Sequence, residues 1–473
     1  MCHYRRGAPR IIRRSNALRA RSRVCVMTAM TDEITKAAKV LGVVLNAGQF
    51  RAVGEILDAI KKHRIHLLTG YAGVGKTVVV QVVAIIVLAR KLEVVMCAPT
   101  HQAVSVLAKK MRMAGIEIPC LTLARLLSLS PKPRGDRLVF VRRKNAEPIE
   151  ADVILLDECS MVSSDVMDHI RVHLIGRGLL YSGDPAQLPP VGEDASETFA
   201  TTSRSHLDTI VRQAADNPII AAAHQIRMQQ GGPIDWSWCR AVRTEQGGVY
   251  LPGDALHRWM QKAFTSAEFA ADPTSFRYLA WTNRRVADVN AKVRGWLYGD
   301  NLLTPFVPGE RALLRAPIVD DEQIIANTNE EAVVTEIEHD EYVWTVEKRQ
   351  DVPAWSQTIP TWKMTLRRDD ETTFDAQMVR ATHAYEAALN RIRAEADRAG
   401  GRWLDLHVMK QFFARFQAVY ARTVHTAQGE THKHTFLDVP DIRQRARDNP
   451  LETQQLCYVG ATRPTTSLIL AGV

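Results

Sequence analysis

Short, continuously apolar runs alternate with stretches of helical period through the first half of the chain. IHLLT (Ile65 to Thr69), EVVMCAPT (Glu93 to Thr100), ADVILLDE (Ala151 to Glu158) and LLYSGD (Leu179 to Asp184) are apolar on both faces, as strands buried in a parallel sheet are. Helices fit between them, one running through Arg90 and one over His101 to Ala114. Thr31 to Ile60 reads as helices around a turn-like LNAGQ (Leu45 to Gln49). Between helix and strand, Ser130 to Glu150 alternates apolar and polar residues between Pro and Gly turn signals, which predicts a small inserted β-hairpin. A second α/β unit starts near Thr209, with a strand at YLAWT (Tyr278 to Thr282) and a helix from Asn283 to Leu297. From about Pro308 to Phe374 the period changes to two, and VVTEIEHDEYVWTVE and TWKMTLRR read as strands of a small β-barrel. A helical hairpin follows, Asp375 to Ala399 and Trp403 to Ala418, broken at Gly400–Gly401, before mixed α/β sequence returns. The expected division is a tail at 1–30, a first domain at 31–208 with the hairpin at about 126–150, a second domain at 209–307 and 421–473, and an insertion at 308–420.

Charge sharpens this picture once it is located. The chain has 473 residues and a formal net charge of +9, but eight arginines and no acid fall within residues 1–30. Without those arginines, 53 basic residues face 52 acidic ones. The basic character therefore belongs to the tail. Three readings of it stand: a translated upstream stretch with Met27 or Met30 as the start, an organelle transit peptide, or a nucleic-acid-binding arm. No apolar run reaches the ~17–20 residues that span a bilayer. Seven scattered cysteines without CxxC spacing point to neither zinc nor disulfides, and to a reducing, cytoplasmic setting.

The chemistry concentrates at the ends of the predicted strands. GYAGVGKT (Gly70 to Thr77) matches GxxxxGK[ST] in full between a strand and a helix. Backbone N–H groups of Gly70, Ala72, Gly73, Val74 and Gly75 can wrap phosphates at the positive end of a helix. Lys76 would reach the β- and γ-phosphates of ATP, and Thr77 would hold Mg²⁺. In LLDE (Leu155 to Glu158), Asp157 would share the metal and Glu158 would deprotonate water. Alone, such an acidic pair is a helix cap; beside a full P-loop it reads as catalytic. Gln187, in GDPAQLPPVG after the next strand, is placed to contact the γ-phosphate.

In this order the motifs resemble the 5′→3′ branch of the superfamily 1 helicases, the RecD/Dda type, from about Leu45 to Leu470. The resemblance implies two RecA-like P-loop motor domains with parallel sheets, a strand-separating pin, and an inserted small β-barrel with a helical hairpin. It makes Gln49 the adenine reader. CAPTHQAV is similar to motif Ia, so Thr100 and His101 would contact single-stranded DNA, as would Thr122 in motif Ib. VRQAADNPII and YVGATR are similar to motifs IV and VI, making Arg212 and Arg463 arginine fingers on the γ-phosphate. TVHTAQGET is similar to motif V, so Thr423, His425 and Thr431 would meet DNA, together with Asn283. Phe140 would stack at the pin, the alternative being an ordinary core aromatic of a small hairpin. Two positions depart from the pattern: Leu123–Ala124 follows Thr122 where a histidine is usual two places on, and Pro464 follows Arg463 where a small residue is usual.

The expected activity is ATP-driven, Mg²⁺-dependent 5′→3′ translocation on single-stranded DNA and unwinding of forked duplex, by a monomer, in phage-type replication or recombination. A single-strand-binding or replication protein is the partner class implied. A RecD-like subunit of a nuclease complex and a non-unwinding ATP-gated clamp are the alternatives. Three features stand apart from the motifs. Asp320 to Glu341 holds nine acids and no Lys or Arg, so this face should point away from phosphates or meet a basic surface. Trp403 is a candidate brace between helical hairpin and pin. The pairs His169/His173 and His432/His434 have ligand-like spacing but no further partners in sequence.

Overall fold

Six parallel strands of the first domain end at the same edge of one sheet, and that edge carries the P-loop. The computed structural model describes residues 29–134, 137–211, 216–229, 233–299, 302–320, 323–348, 353–399 and 403–473. In chain order its first half gives β1 (Ile65–Gly70), β2 (Val94–Ala98), β3 (Cys120–Thr122), the hairpin strands β4 (Leu129–Arg134) and β5 (Arg137–Arg142), then β6 (Val153–Leu156), β7 (Gly178–Gly183) and β8 (Arg204–Leu207). The order β3-β2-β6-β7-β1-β8 is parallel throughout. Helices cover both faces, which is why these strands read as unbroken apolar runs. On one side pack α1 (residues 29–40), α2 (Ala47–Lys61), α3 (Lys76–Ala89) and α4 (His101–Met113). α3 is apolar almost all round and buried accordingly. On the other side α5 (Ser164–His173) contributes Met167 and Ile170 to a second core.

The second half repeats the plan. β9 (Val242–Thr244), β10 (Gly247–Tyr250) and β11 (Phe276–Ala280) belong to a sheet completed much later by β19, β20 and β21. After β11 the chain leaves through helix Asn283–Tyr298 and builds β12 (Arg311–Leu314), β13 (Ile318–Asp320), β14 (Gln323–Ala326), β15 (Glu331–Val346), β16 (Trp355–Arg367), β17 (Thr373–Val379) and β18 (Phe416–Ala418). It then returns as β19 (Ala421–Thr423), β20 (His432–Asp438) and β21 (Pro464–Ala471). The sheet order is β19-β11-β20-β21-β10-β9, parallel except for the β9–β10 hairpin. Two mostly parallel sheets with extra strands and helices inserted are consistent with tandem RecA-like folds. No helix among the described residues is long and apolar enough to cross a membrane.

The insertion differs in detail from its sequence expectation. Its strands make a five-stranded antiparallel sheet, β17-β16-β15-β12-β18, beside the small β13–β14 hairpin. The edge strand β17 makes one isolated bridge, Gln377 with Phe413, to the segment that precedes the other edge strand, and there Ala414 N–H donates to Gln377 O at 2.8 Å. The first helix of the helical hairpin begins at Thr382, not Asp375, because TFDAQMV pairs with β16 from Thr361↔Val379 to Arg367↔Thr373. The second helix, Trp403–Phe412, stops before Phe416, where the chain pairs with β12. Short polar-apolar alternations next to a helix-rich run are invisible to a 3.6-residue period until a neighbouring strand claims them.

Candidate nucleotide site

The loop after β1 is shaped by close approaches that exclude side chains. A Cβ on Gly70 would lie 2.7 Å from Leu207 O, and one on Gly75 (φ 80°) would lie 2.4 Å from Gln49 Nε2. Gly75 also caps α3 in a left-handed conformation that glycine adopts without strain. Behind the loop, Asn46 and Gln49 form a reciprocal capping box at the start of α2. Gln49 Oε1 accepts from Asn46 N–H at 3.1 Å and its Nε2 donates to Val74 O at 3.0 Å. Gln49 is thus buried with both ends of its amide engaged, as a brace under the loop.

Lys76 Nζ donates to Gly70 O at 2.7 Å and Tyr71 O at 3.1 Å, so its ammonium lies folded over its own loop. A cleft of about 310 Å³ opens from there, bounded by Lys76, Thr77, Asp157, Glu158 and Gln187 on one side and Thr431 and Arg463 on the other. Asp157 and Glu158 follow β6 directly, and Glu158 takes the left-handed conformation (φ 51°), strained backbone for a residue with a side chain. Burial and the neighbouring Asp157 push the Glu158 carboxyl above the usual carboxylate range, against the pull of Arg463, Lys76 and Lys110. Arg463 is buried at the end of helix Pro450–Ala461. It donates to Val459 O at 3.0 Å, Glu430 O at 3.0 Å and Thr462 Oγ1 at 2.9 Å. Cationic donors, a hydroxyl and two carboxylates around one cleft suit a polyphosphate and its counter-ion. Thr77 and Asp157 bring hard oxygens to the P-loop side of the cleft, beside Glu158. This is the sparse donor set Mg²⁺ accepts when phosphates and waters complete its shell.

Residues 44–240 match the family model described as an AAA domain. The ATP-dependent DNA helicase dda of Enterobacteria phage T4 is 25% identical over 450 residues, which cover 89% of this chain and 97% of that protein. The ATP-dependent RecD2 DNA helicase of Deinococcus radiodurans is 33% identical over 174 residues, 36% of this chain and 22% of that protein. The chain is thus similar to ATP-dependent DNA helicases of the dda and RecD2 type. A solved Pif1 helicase from Bacteroides, in complex with ADP-AlF3 and ssDNA, superposes at a TM-score of 0.47 with 15% identity, over 91% of this chain and 93% of that one.

The helicase motifs expected around the cleft are distributed unevenly. Lys76, Thr77, Asp157, Glu158, Gln187 and Arg463 share it, with Ala72, Gly73 and Gly75 of the loop; Arg212 lies outside the described residues. Gln49 and Val74 lie behind the loop, not on the cleft wall. Of the positions assigned to DNA, His101 and Thr431 line a neighbouring cavity of about 440 Å³ that continues the cleft toward the insertion. Thr100 and Thr122 cap short helical starts, accepting from Ala103 N–H and Arg125 N–H, each at 3.2 Å. Thr122 and Thr423 are buried. Asn283 accepts from Arg315 Nη2 at 3.3 Å, and His425 stands 3.5 Å from Glu452. Phe140 is 48% exposed on β5, so it is not a core aromatic of its hairpin.

Two residues that contact the cleft lining from outside it escape a reading by motif chemistry. Gln428 Nε2 lies 3.2 Å from Ser160 Oγ, 3.2 Å from Gln187 Oε1 and 3.3 Å from Leu188 O, joining the second domain to two loops of the first. It sits inside TAQGET, so the signal was present but carries no titratable group. Arg227, on helix Pro218–Met228, pairs with Asp184, with its guanidinium 4.4 Å from the Tyr71 ring centroid and 5.5 Å from that of Tyr458. Tyr458 OH in turn donates to Asp184 Oδ2 at 2.6 Å and accepts from Ala72 N–H at 3.2 Å. Nothing local marks Arg227, since its partners come from three distant segments.

Proposed function

We propose that this protein is an ATP-dependent DNA helicase that moves 5′→3′ on single-stranded DNA and opens forked duplex. The observation that carries the reading is the cleft itself: a P-loop lysine and an acidic pair from one parallel sheet face a buried arginine from the other. Relatedness to the helicase dda over nearly the whole chain supports the same activity.

Lys76 leaves its two loop carbonyls for the β- and γ-phosphates of ATP, exchanging neutral acceptors for charged ones. Mg²⁺, held by Thr77 and Asp157, would neutralise charge on the phosphate oxygens. Glu158 removes a proton from the attacking water, a task matched to a carboxylate whose pKa burial has raised. Arg463 compensates charge on the transferring phosphoryl group, and Arg212 is assigned the same task from motif IV. Gln187, hydrogen-bonded to Gln428, reports the γ-phosphate to the second domain. His101, Thr431, Asn283 and His425 are assigned to the strand, Phe140 to the fork. Thr100, Thr122 and Thr423 act as caps or buried supports of that surface. Gln49 is assigned to shaping the loop rather than to reading adenine.

The test is ATP turnover with and without single-stranded DNA. The wild-type chain should show DNA-stimulated, Mg²⁺-dependent hydrolysis, and Lys76→Ala should abolish it. Normal hydrolysis by Lys76→Ala would remove the site assignment. Hydrolysis without any strand displacement would favour an ATP-gated clamp.

A further inference from the structure

The two largest fully buried side chains among the described residues are arginines, Arg277 and Arg422, and neither belongs to the nucleotide cleft. Both converge on Glu331, the first residue of β15 in the inserted sheet. Arg277 Nη2 donates to Glu331 Oε1 at 2.9 Å, Arg422 Nη2 contacts the same oxygen, and Arg311 Nε of β12 donates to Oε2 at 3.1 Å. Arg422 extends its other amino group to Glu430. The backbone carbonyl of Glu430 is an acceptor of Arg463, and Arg463 acts electrostatically on Glu158. Arg311 carries the chain of contacts outward to Asp369, in the turn between β16 and β17, at 2.8 Å. A series of contacts therefore runs from Arg463, which bears electrostatically on the water-activating carboxylate, through Glu430 and Arg422 to the inserted sheet.

Such a network is an expensive way to hold two domains together. Burying several charges costs more than an apolar interface of the same size, and its return is a specified or switchable geometry. The network is also incompletely satisfied: Nε of Arg277 and Nε of Arg422 have no hydrogen-bond partner among the described residues. Burial pulls both guanidinium groups down to about 10, and the carboxylate of Glu430 is held below its usual range by Arg422, His432 and Arg277 despite its own burial. Beyond the network, the Trp403–Phe412 helix packed with the insertion approaches β4 of the protruding hairpin.

Building on the helicase reading, we propose that Glu331 is a positioning residue that couples hydrolysis to strand separation. Arg422 is shared between Glu430 on the motor side and Glu331 on the insertion side. A shift of Arg463 toward the γ-phosphate changes its hold on Glu430 O, and the Arg422 fork passes that change to β15. The acidic run that includes Glu330 and Glu331 thus meets a basic surface, and that surface is this chain's own.

The experiment compares the full chain with Glu331→Gln, which keeps shape and removes charge, and with Arg422→Gln and the double variant. ATP turnover and strand displacement are measured on the same 5′-tailed fork. For Glu331→Gln the base pairs opened per ATP should fall by about 10-fold, with KM for ATP unchanged and kcat within about 2-fold. The double variant should be no worse than the poorer single one, as for residues acting as a unit. If Glu331→Gln does not fold by circular dichroism, Arg311→Gln at the outer end carries the same expectation. An unchanged number of base pairs per ATP, or a matching fall in hydrolysis and unwinding, overturns the proposal. Failure of the wild-type chain to unwind any fork would instead overturn the helicase reading.

Discussion

Glu158 concentrates the chemistry at the residue scale. It occupies a strained backbone position, beside Asp157 and within the fields of Arg463 and Lys76, with its carboxyl held above the usual range. Glu158→Gln is expected to lower kcat by about 10²–10⁴-fold, the usual range for a lost general base, while a fluorescent ATP analogue still binds. The sign of the pH dependence follows from the same position. The base works ionised, so kcat/KM should fall as pH drops through its raised pKa, above the ~4.3 of an ordinary glutamate. That acid limb should vanish from the residual activity of Glu158→Gln; an unchanged limb would assign the base elsewhere. The convergence of Lys76, Thr77, Asp157 and Glu158 on one cleft was legible in sequence because each lies shortly after a strand of the same sheet. Gln428 and Arg227 were not, because their roles exist only when Ser160, Gln187, Asp184 and Tyr71 are brought to them from other segments.

The same distinction holds for elements. β1, β2, β6 and β7 are readable because burial on both faces leaves no polar alternation. Most of β17, residues 375–379, fell inside a predicted helix, since only its partner β16 decides it. The β4–β5 hairpin was legible from its turns, but its support was not. Phe140 O is an acceptor for His169 Nε2 at 3.2 Å, Arg142 Nη1 lies 3.3 Å from His173 Nδ1, and the two imidazoles stack at 5.8 Å. Of the two histidine pairs with ligand-like spacing, His169/His173 is the footing of the hairpin on α5, while His432 and His434 face Glu430 and Glu268. Among the described residues no group of three or more His, Cys, Asp or Glu side chains could hold a metal. With its base fixed and its ring half-exposed, Phe140 is expected to act on the fork alone. Phe140→Ala should cut strand displacement by about 10-fold, the worth of one lost base–aromatic stack, and leave DNA-stimulated ATP hydrolysis near normal. Equal loss of both would return Phe140 to a packing role.

Across the whole molecule, the proposed function is not expected to depend on bulk charge. The body is nearly neutral, so the proposed strand binding would rest on placed residues and not on a basic field. Deleting residues 1–26 should therefore leave ATP turnover and unwinding within about 2-fold at moderate salt; a strong loss would make the arginine-rich stretch a DNA-binding arm. The nine acids of 320–341 looked in sequence like one repelling face. The structure divides them: Glu330 and Glu331 turn inward onto Arg368, Arg277, Arg311 and Arg422, while Glu338 pairs with Lys363 at the surface. A charge run is read correctly from sequence only when all its members share one environment, and the members of this run do not. The most direct measurement of the account as a whole is strand displacement on matched duplexes with either a 5′ or a 3′ single-stranded tail, with ATP and Mg²⁺ present. Unwinding from the 5′ tail, absent in Lys76→Ala, is the predicted result; unwinding only from the 3′ tail would contradict it.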